Sequence, residues 1–432
     1  VLDEHGSPVP NTPVTFTAPE SGPSVSFSGE NIINTTSGVD GTVSLPMTAN
    51  NEIGQYSVTI VAEDVTPTEA ELENGAWYVS LSGNDSNDCA TPQTPCATIR
   101  SAIGKAQKDS TIMIETGIYS DGSTGISISK NLTILAGWND DFTEQNGKST
   151  SLNHIGVGAQ LLSYQAIHVV IDNLNLSSRG IYNTGTLTYR NGTIMGAVQA
   201  IDNLGFLTLI NATISGNGQN TTGGFRGGIQ LSGIKAVIKI VNSTITNNAT
   251  GTNGGGGIAN SSSNAGLVIL NNSIVAGNSA EYGGPDCSGG SSGYISLGNN
   301  LIGVVGQSPS GMYLCSGNWL NTDIVGSYTN PANPHLFEFA DLGNNTWMHA
   351  LKSSSPAFDA GAEIGCPAFD QRGIPRPQSV ACDMGAYEFV IPSGFGKTSP
   401  TNAAANQSLS LTLSWGASDN ATYYEYCYSS AP

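Results

Sequence analysis

The residues able to do chemistry in this chain are charged side chains and seven cysteines. Between residues 155 and 300 the cations are Arg179, Arg190, Arg226, Lys235 and Lys239. The carboxylates there are Asp172, Asp202, Glu281 and Asp286. Acid–base turnover needs a base within reach of an acid or a metal, and glycoside hydrolysis needs two carboxyl groups at a defined separation. No two of these acids are close in sequence, although stacking would bring Asp172 and Asp202 together. Arg226, on the glycine-rich loop 223–228, is the best single candidate for a base, and a solvated loop arginine is the plainer reading. A denser charged set follows in Asp359, Asp370, Arg372, Arg376, Asp383 and Glu388, and it reads as ion pairs and turns. The histidines (His5, His154, His168, His335 and His349) lack ligand spacing and read as surface or packing residues. Asp85 and Asp88 lie in an Asp/Asn-rich loop whose oxygens suit calcium, and Asx turns account for the same residues. Calcium is the one cofactor the residues suggest.

None of the cysteines forms a CxxC or a Cys/His zinc pattern. Three local pairs are natural: Cys89–Cys96, Cys287–Cys315 and Cys366–Cys382. Cys427 is left over and is expected to have no partner within this chain. Such pairing implies an oxidising, extracytoplasmic compartment.

The elements that must position these groups are legible from a repeat. Gly180-Ile181-Tyr182-Asn183, Ala200-Ile201-Asp202-Asn203, Gly228-Ile229 and Gly257-Ile258-Ala259-Asn260 each lead into an alternating apolar run, which ends in Asn-x-Thr/Ser-Ile. The leading isoleucines are 20, 28 and 29 residues apart. A recurring unit of this size marks a solenoid, and period-two alternation makes its units strands. Each is too short to bury its apolar face alone, so coils must stack. The expected fold is therefore all-β, a right-handed parallel β-helix. The recurring asparagine should turn the chain at a corner and bond its counterparts above and below.

At 432 residues the chain exceeds one ordinary core. Its net charge of −19 is uneven, with thirteen acidic residues and one basic residue in the first hundred. No basic stripe exists to neutralise phosphates, which excludes nucleic acid as a partner. No apolar run approaches membrane-spanning length, and there is no signal peptide. The chain opens at Val1-Leu2-Asp3, as a mature or trimmed segment would.

Residues 1–62 read as a small β-sandwich with strands at 14–17, 25–28, 42–45 and 54–60. The stretches at 6–16, 38–43 and 54–59 resemble bacterial immunoglobulin-like domains of the invasin/intimin kind, which implies a spacer or adhesive role. Residues 63–76, with Pro67 and Glu69, Glu71 and Glu73, read as a solvated linker. The β-helix domain is expected over 77–390. A short helix within 97–106, with Thr94 and Pro95 at its N-terminus, should cover the open end of the stack, and a cap should close it at 336–389. Trp77-Tyr78-Val79-Ser80, the phrase Gly298-Asn299-Asn300-Leu301-Ile302-Gly303, Ser355-Pro356-Ala357-Phe358-Asp359-Ala360-Gly361 and Cys382-Asp383-Met384-Gly385-Ala386-Tyr387-Glu388-Phe389 resemble the choice-of-anchor Q β-helix proteins of bacterial surfaces. That family is a surface architecture with no single assigned reaction. Residues 391–432 resemble the first strands of a fibronectin-III-like module.

These resemblances imply an extracellular structural or adhesive surface protein with glycans as candidate partners, and either head-to-tail self-association or continuation into further modules. The rival reading comes from the likeness to pectate-lyase-type β-helices. It is a lyase or hydrolase of acidic polysaccharide, and the scarcity of paired acids weighs against it.

Overall fold

The computed structural model describes residues 1–432 except 3–7, 51, 53, 64, 121–124, 159–166, 220–226, 234, 261–265, 290–292, 309–310, 312, 392, 395, 409 and 419–432. Arg226, His5, Cys427 and the end of the expected fibronectin-III-like module, from 419 on, lie outside the described residues.

The centre of the chain is a parallel β-helix. Each full coil contributes three strands. In one coil Ile181–Asn183 joins a seven-stranded sheet, Thr186–Arg190 a ten-stranded sheet, and Thr193–Met195 a third long sheet. The next coil repeats this as Ile201–Asn203, Phe206–Ile210 and Thr213–Ser215. Pairing between coils is parallel and keeps like over like. Ile181, Ile201, Ile229 and Ile258 stack in one inward row. Leu187, Leu207, Ile238 and Val268 form a second, and Ile194, Ile214, Ile245 and Val275 a third. None of these twelve is more than 2% exposed, so each contributes about 1.5–3 kcal/mol of burial.

Asparagine turns the corners, as the repeat predicts. Asn173, Asn191, Asn211, Asn242, Asn272 and Asn299 all have φ between 41° and 58°, a left-handed conformation that asparagine tolerates better than most residues. Asn211 Nδ2 donates to Asn191 Oδ1, and Asn272 Nδ2 to Asn242 Oδ1, both at 3.2 Å. A second, fully buried ladder runs Asn217 to Asn248 to Asn278 to Asp286, each Nδ2 donating to the next Oδ1 at 2.8, 2.9 and 3.0 Å.

The helix Ile99–Lys105 buries Ile99, Ala102 and Ile103 in the core at the start of the stack. Its N-cap is Thr98, which accepts from Ser101 N, and not Thr94 as the sequence suggested. The reason is that Cys96 bridges Val79 in parallel β fashion and holds this segment extended. At the other end Cys315 and Trp319 close over the last coil, tied by the Cys287–Cys315 disulfide.

Segment 336–389 is not an end cap. It runs along the side of the helix as a strap over the third sheet. Asn345 Nδ2 donates to Thr150 Oγ1, His349 bonds Ser215 Oγ, Gln371 bonds Thr193 and Thr213, Ala386 N donates to Thr244 Oγ1, and Asn299 Nδ2 donates to Ala360 O. The outward row it covers runs Thr193, Thr213, Thr244, Ile274, Leu301. Ile274 and Leu301 face outward yet must leave water, and they pack on Met348, Leu351, Met384 and Tyr387 of the strap.

The N-terminal unit also departs from expectation. Its antiparallel sheet has the order Ile32–Thr36, Pro13–Thr17, Gly54–Ala62, Thr68–Asn74. The last strand occupies the expected linker. Ala70, Leu72 and Asn74 turn inward while Glu69 and Glu71 stay exposed, so the acidic run is the wet face of a strand. No strand forms at 42–45, where Thr42 N and Oγ1 bond Asp40 Oδ1 in a local turn. Thr48–Ala49 pairs with Val25–Ser26 instead. After the strap, Lys397–Ser399 pairs with Ser414–Trp415.

Candidate functional site

On the seven-stranded sheet the positions after each leading isoleucine align as Ser127, Gly156, Tyr182, Asp202, Gln230, Ala259 and Ser288; Ser127, Tyr182, Asp202 and Gln230 reach the surface, whereas Ala259 and Ser288 are buried. Neighbouring strands lie about 4.8 Å apart, so Tyr182, Asp202 and Gln230 offer one side chain on each of three successive coils. In its middle is an open cleft of 580 Å³ containing His154, Arg179, Tyr182, Gln199 and Asp202. The 178–180 and 198–199 corners form its walls, and strand positions 182 and 202 form its floor.

The cleft holds groups suited to polar recognition. Tyr182 is 41% exposed. Arg179 is exposed and makes no hydrogen bond or ion pair with the described residues. Gln199 Nε2 reaches Gln230 Oε1 at 3.2 Å, and Asp202 Oδ1 accepts from Ser232 Oγ at 2.5 Å. Burial, and then the Arg179 charge, hold His154 below its ordinary pKa. A neutral imidazole beside an exposed guanidinium can accept a hydrogen bond from a hydroxyl or take a proton.

A second concavity, of 490 Å³, lies between the strap and the coil corners and includes Lys148, Asp172, Asn173, Asn191, Asp370 and Arg372. Its charges are mostly engaged. Arg190 Nε lies 2.9 Å from Asp172 Oδ2, and Asn191 Nδ2 donates to Asp172 Oδ1 at 2.8 Å. Arg372 Nη2 is 2.6 Å from Asp370 Oδ2, and its guanidinium sits 3.7 Å from the centre of the Tyr387 ring. Arg376 pairs with Glu388 at 2.8 Å, with both side chains buried. Asp359 Oδ1 accepts from Val380 N and Ala381 N, and Asp383 accepts from Asp359 N and Phe389 N. The charged set at 359–388 therefore fixes the strap, as its spacing suggests.

Stacking does not unite Asp172 and Asp202. Asp172 pairs with Arg190 on the ten-stranded sheet and Asp202 lies on the seven-stranded one, so the two face different sides of the coil. Glu281, Lys235 and Lys239 are exposed on separate surfaces, and Asp286 ends the buried ladder. Asp85 takes three hydrogen bonds, from Ala97 N, Thr98 N and Thr98 Oγ1, and Asp88 takes two, from Ala90 N and Thr94 Oγ1. Asp85 thus holds the loop onto the helix start, and Asp88 closes the loop on itself. Among the described residues no group of three His, Cys, Asp or Glu side chains converges as a metal site. Of the histidines, His349 is buried, bonded to Ser215 and to Phe337 O, while His168 and His335 are exposed. Cys89–Cys96, Cys287–Cys315 and Cys366–Cys382 are all paired. No described helix is long and apolar enough to cross a membrane.

Sequence reasoning passed over Tyr182, Gln199 and Lys148, and read His154 as a surface or packing residue. A signal for Tyr182 existed, since the position after each leading isoleucine must face out. Nothing local marks the other three.

No family model matches the chain, and no curated protein matches it. Among solved structures it is similar to the pectate lyase Pel9A, at 14% identity over 72% of this chain and 96% of that one, with a TM-score of 0.39. It is also similar to a rhamnogalacturonan lyase, at 14% identity over 58% and 87%, with a TM-score of 0.26.

Proposed function

We propose that this chain is an extracellular rod for structural display or adhesion at a bacterial surface, and that it binds glycans in the cleft around Tyr182. The observation that carries this is the alignment of Tyr182, Asp202 and Gln230 on successive coils, with the exposed tyrosine sharing its cleft with Arg179, Gln199 and Asp202. An aromatic face packs on the C–H side of a sugar ring while amide, guanidinium and carboxylate groups bond its hydroxyls. Arg179 and Asp202 oppose in sign, and a net charge of −19 repels polyanions at long range, so a neutral, hydroxyl-rich glycan suits the cleft better than a polyuronate. Three disulfides support an oxidising location. Titrating the protein with neutral and acidic oligosaccharides, followed by NMR or calorimetry, should give saturable binding to a neutral glycan. Tyr182→Ala and Arg179→Ala should each weaken it at least tenfold, about 1.4 kcal/mol, and leave stability unchanged. Binding that survives both substitutions would refute the assignment.

A second reading has one observation in its favour. His154, held neutral beside Arg179, could take a proton from a uronate sugar whose carboxylate the guanidinium neutralises, which is the chemistry of a polysaccharide lyase. Unsaturated product from pectin or alginate that disappears in His154→Ala would establish that reading in place of binding alone.

A further inference from the structure

Lys148 is an anomaly in a chain with few cations. It is 3% exposed and stands immediately before the strand Ser149–Ser151. Its Nζ lies 2.7 Å from Asn173 Oδ1 and 2.5 Å from Asn191 O. The amine thus rests against the carboxamide of a corner residue one coil further on, since Ser149–Ser151 pairs directly with the strand beginning at Leu174. Asn173, at a left-handed corner with φ 58°, lines the groove between the strap and the coils. Asp172, next in the chain to Asn173, is buried and close enough for its charge to act on the lysine. The groove gives the carboxamide nitrogen a way out to water.

These are the components of an amide exchange, and we propose that Lys148 and Asn173 become joined by an intramolecular isopeptide bond. Lys148 Nζ, as a neutral amine, adds through its lone pair to Asn173 Cγ. The Cγ–Nδ2 bond then breaks, and Nδ2 leaves as ammonia. One proton lost from Nζ ends on the departing nitrogen, so nothing is oxidised or reduced and no co-reactant is needed. The neutral amine is accessible because burial outweighs the attraction of Asp172 and Asp370 and lowers the lysine to about 8. The product ties one coil to the next at the corner where the strap is seated, a use that suits a rod under tension.

The test is mass spectrometry of the reduced, denatured full chain after incubation at about pH 8, where the amine is half neutral. The expected mass is one ammonia below that of the sequence. Trypsin should fail to cut after Lys148, and a branched peptide should join residues 148 and 173. Lys148→Met and Asn173→Ala should each restore the unshifted mass. A wild-type mass equal to that of the sequence, with Lys148 freely cleaved, would overturn the proposal. So would an ammonia loss that maps to any other asparagine. The wild-type result decides even if a variant fails to fold.

Discussion

Asp286 ends the buried Asn217–Asn248–Asn278 ladder, and replacing it with asparagine tests why a carboxylate stands there. The Asp286 side chain is buried, and its Oδ1 accepts from both Asn278 N and Asn278 Nδ2 at 3.0 Å. The backbone N–H of Val304 also bonds the carboxylate. Donors thus approach from two sides, so only an acceptor without its own N–H satisfies them. Burial nevertheless dominates and raises the carboxyl from 3.8 to about 6. The native state therefore binds a proton that the unfolded state releases between those values. By linkage, stability is greatest below pH 4 and falls as pH rises through about 6. The span from 3.8 to about 6 corresponds to roughly 3 kcal/mol. Asp286→Asn removes this titration and sets an amide N–H₂ against Val304 N–H, at a pH-independent cost of about 1–3 kcal/mol. Urea unfolding of both proteins at a series of pH values should show the wild type's advantage shrinking by roughly 2–3 kcal/mol between pH 4 and pH 7.5. Groups common to both proteins cancel in the difference. Hydrogen exchange at the Asn278 amide gives the same comparison locally. A difference that changes by less than about 1 kcal/mol, a third of that expected, would refute the reasoning.

Two further outcomes follow from buried polar groups. Asn248→Ala should destabilise the central coils by about 3 kcal/mol, because it strands the buried Asn217 N–H and removes the bonds to Ile214 O and Thr246 O; urea unfolding checks this, and a loss below about 1 kcal/mol would contradict the ladder's role. Arg376→Met should loosen the strap at a cost of about 3–5 kcal/mol by leaving Glu388 buried and unpaired, read as earlier unfolding of Trp347 fluorescence, whereas Arg376→Met with Glu388→Gln should recover part of that loss.

The local repeat was enough to identify the β-helix. Alternation around Ile181, Ile201, Ile229 and Ile258 specifies strands, recurrence specifies stacking, and asparagine at the corners tolerates the left-handed turn, all of which are properties of short stretches. The three disulfide pairs were legible for the same reason, being close in sequence. The acidic run at 69–73 misled because charge was weighed before period; Ala70 and Leu72 alternate with it and make a strand. The position of segment 336–389 was not readable, because its partners Thr150, Thr193, Ser215 and Thr244 are 134 to 195 residues away. Only the assembled third sheet, with Ile274 and Leu301 facing outward, creates the surface that the strap must cover. The same holds for both concavities. Tyr182 and Asp202 meet because two coils register, and Lys148 reaches Asn173 because successive corners superpose. Such contacts depend on how many residues each loop inserts between coils, a quantity that side-chain chemistry along the chain does not encode, and so the tertiary structure alone decided them.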